Sequence, residues 1–132
     1  MINMAKAALI LVLDDDPDIC SMLKMVLDYH GYEAVDADGE EKATELLSKN
    51  HVDLIIMDML LSGADGTDIC RRLKQDEQRS SIPILMFSAH PNAEKVCMEA
   101  GADDFISKPF EMNDLIDRIV FFLEQREVKQ VQ

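Results

Sequence analysis

Basic residues are scarce in this chain of 132 residues: 13 Lys and Arg stand against 26 Asp and Glu, a formal net charge of −13. A surface so acidic repels nucleic-acid phosphate and anionic lipid, so direct binding to nucleic acid or to a membrane is not expected. Cysteine is rare as well. Cys20, Cys70 and Cys97 are odd in number, far apart and without a CxxC pair, which argues against a disulfide framework and against the usual metal or redox spacings. Each lies beside apolar residues in a helical pattern, as small buried thiols do. No apolar stretch approaches the ~20 residues of a transmembrane helix. Lys6 followed by the apolar run 7–13 superficially resembles a secretory signal, but the run is short, ends in three aspartates and lacks a small-residue cleavage site. A cytoplasmic protein is expected. Repeats, low-complexity segments and long linkers are missing too. The chain therefore reads as one domain over 1–132, with a core at about 8–127 and flexible tails at 1–7 and 128–132.

What is present is an alternation. Six apolar residues at 8–13 run into Asp14, Asp15 and Asp16, and four at 54–57 run into Asp58. Continuous apolar runs this short read as strands buried on both faces, as in parallel sheets. A third run, at 82–87, holds Pro83 near its start, where a strand tolerates it, and leads into Ser88. Weaker strand patterns occupy 32–37 and 104–107, the latter followed by Lys108 and Pro109.

Helical patterns lie between the strands. Ile19, Met22, Leu23, Val26 and Leu27 share one face behind Asp16 as N-cap and Pro17 in the first turn, and Gly31 follows in the C′ position. Residues 39–49 carry Ala43, Leu46 and Leu47 on one side, with Asn50 as the stop. Asp65 can cap a third helix whose buried side includes Ile69, Cys70 and Leu73. Ala93, Val96, Cys97 and Ala100 form a short fourth, ended by Gly101. From 111 to about 127, Leu115, Ile116, Ile119, Val120, Phe122 and Leu123 face inward. Phe121 falls outside that stripe, either as an ordinary exposed residue or as a contact for a partner or second copy. Five strands alternating with five helices predict an α/β fold, a doubly wound five-stranded parallel sheet with helices on both faces.

In such a sheet the C-terminal strand ends share one edge, where ligands bind. Asp14, Asp15, Asp16, Asp58, Ser88 and Lys108 all leave strands there. Clustered carboxylates call for a hard divalent cation, and oxygen ligands with few protein contacts favour Mg²⁺. One carboxylate can attack phosphorus to form an acyl phosphate, while a lysine ammonium and a serine hydroxyl hold the remaining phosphoryl oxygens. Each residue has a plainer role, as helix cap, turn residue or surface charge; the constellation carries the chemical reading.

The residues 11–17, 57–59 through Asp65 and Gly66, Ser88-Ala89, 101–104 and 108–110 resemble the motifs of response-regulator receiver domains of two-component signalling, over roughly residues 8–125. That resemblance implies a flavodoxin-like (βα)₅ fold with strand order 2-1-3-4-5. It implies a stand-alone signalling switch rather than an enzyme. Asp58 would accept a phosphoryl group from a sensor histidine kinase or a histidine phosphotransfer protein. Asp15 would bind Mg²⁺ directly and Asp14 mainly through water, with Asp58 and the Leu60 backbone carbonyl completing the ligands. Ser88 and Phe105 would be the switch residues, Lys108 would pair with the phosphate, and the Lys108–Pro109 peptide would be cis. A downstream protein target would read the switch, and the region of helices 4 and 5 could form a homodimer.

Three departures from the family pattern stand out. Ser62 replaces the usual Pro four residues after the acceptor, which should loosen that loop. The segment from Ser88 to Lys108 is about two residues short, so the fourth helix or the loop before it should be trimmed. No output domain is expected after Glu127. Two other readings remain open: an aspartate-dependent phosphatase using Asp14, Asp15 or Asp16, and a receiver that serves as a scaffold without phosphorylation.

Overall fold

The computed structural model describes residues 7–61 and 63–131, with side chains described as far as Gln125. Ser62 and residues 1–6 and 132 lie outside the described residues, so the expected loosening at Ser62 and most of the expected N-terminal tail do too. Strands β1 (Leu9–Leu13), β2 (Glu33–Ala37), β3 (Leu54–Asp58), β4 (Ile84–Ser88) and β5 (Asp104–Ser107) form one parallel sheet in the order β2-β1-β3-β4-β5. Helices α1 (Pro17–Tyr29), α2 (Glu40–Lys49), α3 (Gly66–Gln75), α4 (Ala93–Glu99) and α5 (Met112–Val131) connect and flank the strands. This is the doubly wound, flavodoxin-like α/β architecture. A two-residue antiparallel ribbon pairing Leu60–Leu61 with Ala64–Asp65 is an addition that no periodicity announces.

The core has two layers because successive strand side chains point to opposite faces. Leu11, Leu13, Ile55, Met57 and Met86 pack with Ala43, Ile69, Cys70 and Cys97 from α2, α3 and α4. Ile10, Val12, Leu54, Ile56, Leu85 and Phe87 pack with Leu23, Leu27, Leu115 and Ile119 from α1 and α5. The central strands are apolar on both sides, which is why their sequences run without alternation. All three thiols are free and buried.

The expected helix ends recur. Asp16 Oδ1 accepts from the Asp18 N–H at 2.9 Å, and Asp65 Oδ1 accepts from the Thr67 N–H at 2.9 Å. Gly31, at φ +88°, reverses the chain after α1 in a conformation L side chains rarely adopt. Helix α4 has only seven residues, in keeping with the short segment between Ser88 and Lys108.

Two expected inward residues point outward. On α1 the buried line is Cys20, Leu23 and Leu27, which turns the stripe toward Cys20 and leaves Met22 exposed. On α4 the small residues Ala93, Cys97 and Ala100 are buried and Val96 is exposed, because the short helix lies close against the sheet. Phe121 is exposed, as its position off the α5 stripe predicts.

At the N-terminal edge of the sheet, buried Asp53 and exposed Asp103 receive the N–H groups that begin strands. Asp53 Oδ2 accepts from Leu9 N–H at 2.9 Å, and Asp103 Oδ2 accepts from Ile84 N–H at 2.8 Å. Register then carries the ladder to the opposite edge. Leu13 lies beside Met57, Asp58 beside Phe87, and Ser88 beside Ser107.

Candidate functional site

The hydrogen-bond ladder continues one step beyond the strands and draws their C-terminal ends together. Asp14 N–H donates to Ala37 O at 3.1 Å, Met59 N–H to Phe87 O at 3.0 Å, and Lys108 N–H to Ser88 O at 2.9 Å. Asp58 ends β3 half-buried. Its Oδ1 accepts from the Leu60 N–H at 3.1 Å, and its Oδ2 lies 3.4 Å from Lys108 Nζ. That separation exceeds the 2.7–2.9 Å of a tight charge-assisted bond. The Lys108–Pro109 peptide is cis, as the resemblance implied.

Asp14 is almost fully buried. Its Oδ1 accepts from the Asp16 N–H at 2.9 Å, while Oδ2 has no hydrogen-bond partner. Burial pushes its carboxyl above the usual value, and the charges of Asp58 and Asp15 push the same way, against the bond from Asp16 and the Lys108 charge. Asp15 is exposed beside it. A buried acceptor oxygen without a donor, next to further carboxylates, suits a cation that brings its own water. Among the described residues no three acidic, His or Cys side chains form a metal cage by themselves. This still fits Mg²⁺, which keeps several waters and needs few protein carboxylates. Leu60, two residues after Asp58, begins the small ribbon, and its side chain is 59% exposed.

Ser88 is buried at the end of β4, and its Oγ accepts from the His90 N–H at 3.0 Å. Phe105, on β5, is also buried and packs in the layer that holds Met86, Ala93 and Cys97. Its inward position therefore rests on apolar packing, with no hydroxyl required. Phe105 O accepts from Arg118 Nη1 at 2.8 Å, and the same nitrogen donates to Asp104 Oδ1 at 2.8 Å. Asp14, Asp58 and Lys108 thus come together, Ser88 stands at the end of the strand between Asp58 and Lys108, and Phe105 lies one layer below.

Three contributors escape a sequence reading. Cys20 Sγ donates to the Asp14 carbonyl at 3.3 Å, fastening the acidic turn to α1. Gly66 packs against the backbone after Asp58, where an added Cβ would collide with the Asp58 carbonyl oxygen and come to 2.8 Å from Met59 O. Phe87, which reads as one more apolar core residue, lies under the Lys108 ammonium at 4.6 Å from ring centroid to Nζ. Only the glycine left a trace in sequence, as part of the Asp65-Gly66 motif.

Comparison with known proteins bears on this geometry. The pattern described as the response regulator receiver domain matches residues 10–120. The chain is 37% identical over 112 residues to the phosphate regulon transcriptional regulatory protein PhoB of Pseudomonas aeruginosa, covering 83% of this chain and 49% of that one. It is 38% identical over 121 residues to the DNA-binding response regulator MtrA of Mycolicibacterium smegmatis, covering 89% and 51%. The chain thus spans about half the length of the curated relatives it matches. Among solved structures, the signal receiver domain of a signal transduction histidine kinase from Syntrophus aciditrophicus superposes with a TM-score of 0.83 at 32% identity, covering 90% of this chain and 92% of that one.

Proposed function

This chain belongs to the response-regulator receiver family, and on that premise we propose that Asp58 accepts a phosphoryl group from a phosphohistidine of a sensor kinase or phosphotransfer protein. A carboxylate oxygen of Asp58 forms the new O–P bond as the N–P bond breaks, and the released imidazole takes its proton from water. The observation that carries the reading is the Lys108 ammonium 3.4 Å from Asp58 Oδ2, beside the buried, unpartnered Oδ2 of Asp14. A lysine held near, yet not tightly paired with, a carboxylate can receive phosphoryl oxygens when they arrive.

Asp14, Asp15, Asp58 and the Leu60 carbonyl would hold Mg²⁺, which when bound neutralises the clustered carboxylates and the incoming phosphoryl oxygens. Ser88 turns its hydroxyl from the His90 N–H to a phosphoryl oxygen, and Phe105 follows as the buried aromatic whose packing reports the change. A groove of about 550 Å³ between α4, β5 and α5, lined by Glu94, Phe105, Asp114 and Arg118 among others, is where a target or a second copy reads that change. The domain itself makes no direct contact with DNA, given its net charge of −13. The DNA-binding role in a relative's name belongs to a chain about twice as long. Signalling rather than turnover of a substrate is the family's general role, and among the described residues no helix is long and apolar enough to cross a membrane. The reading places the domain in the cytoplasm.

The test is incubation with acetyl phosphate and Mg²⁺, followed by detection of an acid-stable, base-labile phosphoryl adduct. The adduct should form on wild type and vanish in Asp58→Asn. No adduct on wild type would leave a scaffold role, and steady hydrolysis of unrelated phosphate esters would point to a phosphatase.

A further inference from the structure

The same strand alternation that builds the core stacks three side chains at the site. Asp58 and Phe87 are register partners on adjacent parallel strands, so their side chains leave the same face of the sheet. Phe87 is in turn the partner of Ile106, and Lys108 lies two residues further along the same face. Phe87 is 1% exposed, and its ring meets that of Phe110 edge-on, with centroids 6.1 Å apart and planes at 67°. The ring is therefore fixed on one side by an aromatic edge, and its face is offered to the Lys108 ammonium at 4.6 Å.

From this geometry we infer that Phe87 is a positioning residue for phosphoryl transfer: its π face holds the Lys108 ammonium beside the acceptor carboxylate without letting it close onto Asp58. The inference rests on Asp58 being the acceptor. A lysine stem has four rotatable carbons, and the ammonium would otherwise settle into a short ion pair with the nearest carboxylate. In that pair it would occupy the lone pairs Asp58 needs for attack. A face-on cation–π contact at a largely desolvated ring competes with the ion pair, and the observed 3.4 Å separation is what a shared ammonium gives. A leucine at position 87 would fill much of the same volume and offer no quadrupole. The aromatic ring thus does more than pack.

A graded test separates electronics from packing. Phenylalanine at position 87 of the full chain is replaced by its 4-fluoro and 3,4,5-trifluoro analogues, which preserve shape and burial while draining the negative face of the ring. Phe87→Leu is prepared alongside. Formation of the adduct from acetyl phosphate and Mg²⁺ should slow stepwise with fluorine number, by about threefold to tenfold at trifluoro, while the denaturation midpoint stays put. The ε-methylene proton resonances of Lys108, shifted upfield by the ring in wild type, should return downfield in Phe87→Leu. A flat rate across the fluorine series overturns the inference, as do losses that track the denaturation midpoint, or Lys108 resonances unshifted in wild type. Should Phe87→Leu fail to fold, the fluorinated rings decide alone. A wild-type chain that forms no adduct sinks the acceptor reading itself, whereas a normal wild-type adduct with an indifferent fluorine series sinks only the role of Phe87.

Discussion

Gly66 lies directly against the backbone carbonyl of Asp58, close enough that no side chain fits between them. Its own N–H donates to Met59 O at 2.7 Å, so the first residue of α3 is tied to the chain just past the acceptor. Gly66→Ala drives a methyl into backbone rather than into a flexible side chain. Overpacking of this kind costs about 1–3 kcal/mol, and it moves the reacting carboxylate as well. The variant should unfold at lower denaturant and form the Asp58 adduct about tenfold more slowly or worse. Unchanged rates with lowered stability would show that the displacement is absorbed by α3 alone.

Leu60 donates its N–H to Asp58 Oδ1 while its side chain projects largely into solvent at the rim of the site. An apolar rim residue offers no hydrogen bond to an attacking water, whereas an amide does. In Leu60→Asn the acyl phosphate should hydrolyse faster, read as loss of radiolabelled adduct after the donor is removed. An unaltered lifetime would refute a shielding role for Leu60.

At the far edge of the sheet, Lys74 Nζ donates to Asp103 Oδ2 at 2.6 Å and to Ile82 O at 2.8 Å. Asp103 also receives the first N–H of β4, so this lysine ties α3 to the start of two strands. Lys74→Met keeps the stem that packs beside Gly101 and removes the donors. The cost should be about 1–3 kcal/mol by chemical denaturation, since Ile82 O loses this donor and Asp103 keeps only the Ile84 N–H. Adduct formation at Asp58 should be unchanged, because the strands separate the two edges. A slowed reaction would reveal coupling across the sheet.

The buried thiols set an alkaline limit. Burial pushes Cys20 and Cys97 from the ordinary thiol value of 9.0 up to about 11, and raises Cys70. The folded chain therefore holds these protons after the unfolded chain has released them. The thiols' contribution to stability is whole below about pH 9 and is lost as pH rises from about 9 to about 11. Thermal unfolding across that range should show the decline, and Cys20→Ala/Cys97→Ala should flatten it. At pH 8 a thiol-reactive dye should label the native chain slowly and all three cysteines at once on denaturation.

The positions most legible in sequence were those where one local signal admits one answer. Asp16-Pro17, Gly31 and Asp65 each mark a helix end by chemistry confined to a few neighbouring residues, and each recurs in the fold. Met22 and Val96 were less legible because a helical stripe has a width and no zero. The stripe's rotation is set by what the helix lies on, here the sheet beneath Cys20 and Ala93. The ribbon at Leu60–Leu61 and Ala64–Asp65 depends on backbone pairing that no side-chain period encodes. Phe87 was hidden for a different reason, since an apolar strand residue reads identically whether its face meets another hydrocarbon or a cation.

By itself the sequence determined the alternation of buried strands and amphipathic helices, and therefore which residues stand at the C-terminal strand ends: Asp14, Asp58, Ser88 and Lys108. Periodicity and burial are local in origin, so they survive in a linear string. Only the tertiary structure decided the distances between those residues. It stripped Asp14 Oδ2 of a partner, pressed Gly66 against Asp58, and set Lys108 between a carboxylate and a ring. Those relationships arise from the register of strands separated by dozens of residues, and register is settled by packing the whole sheet at once.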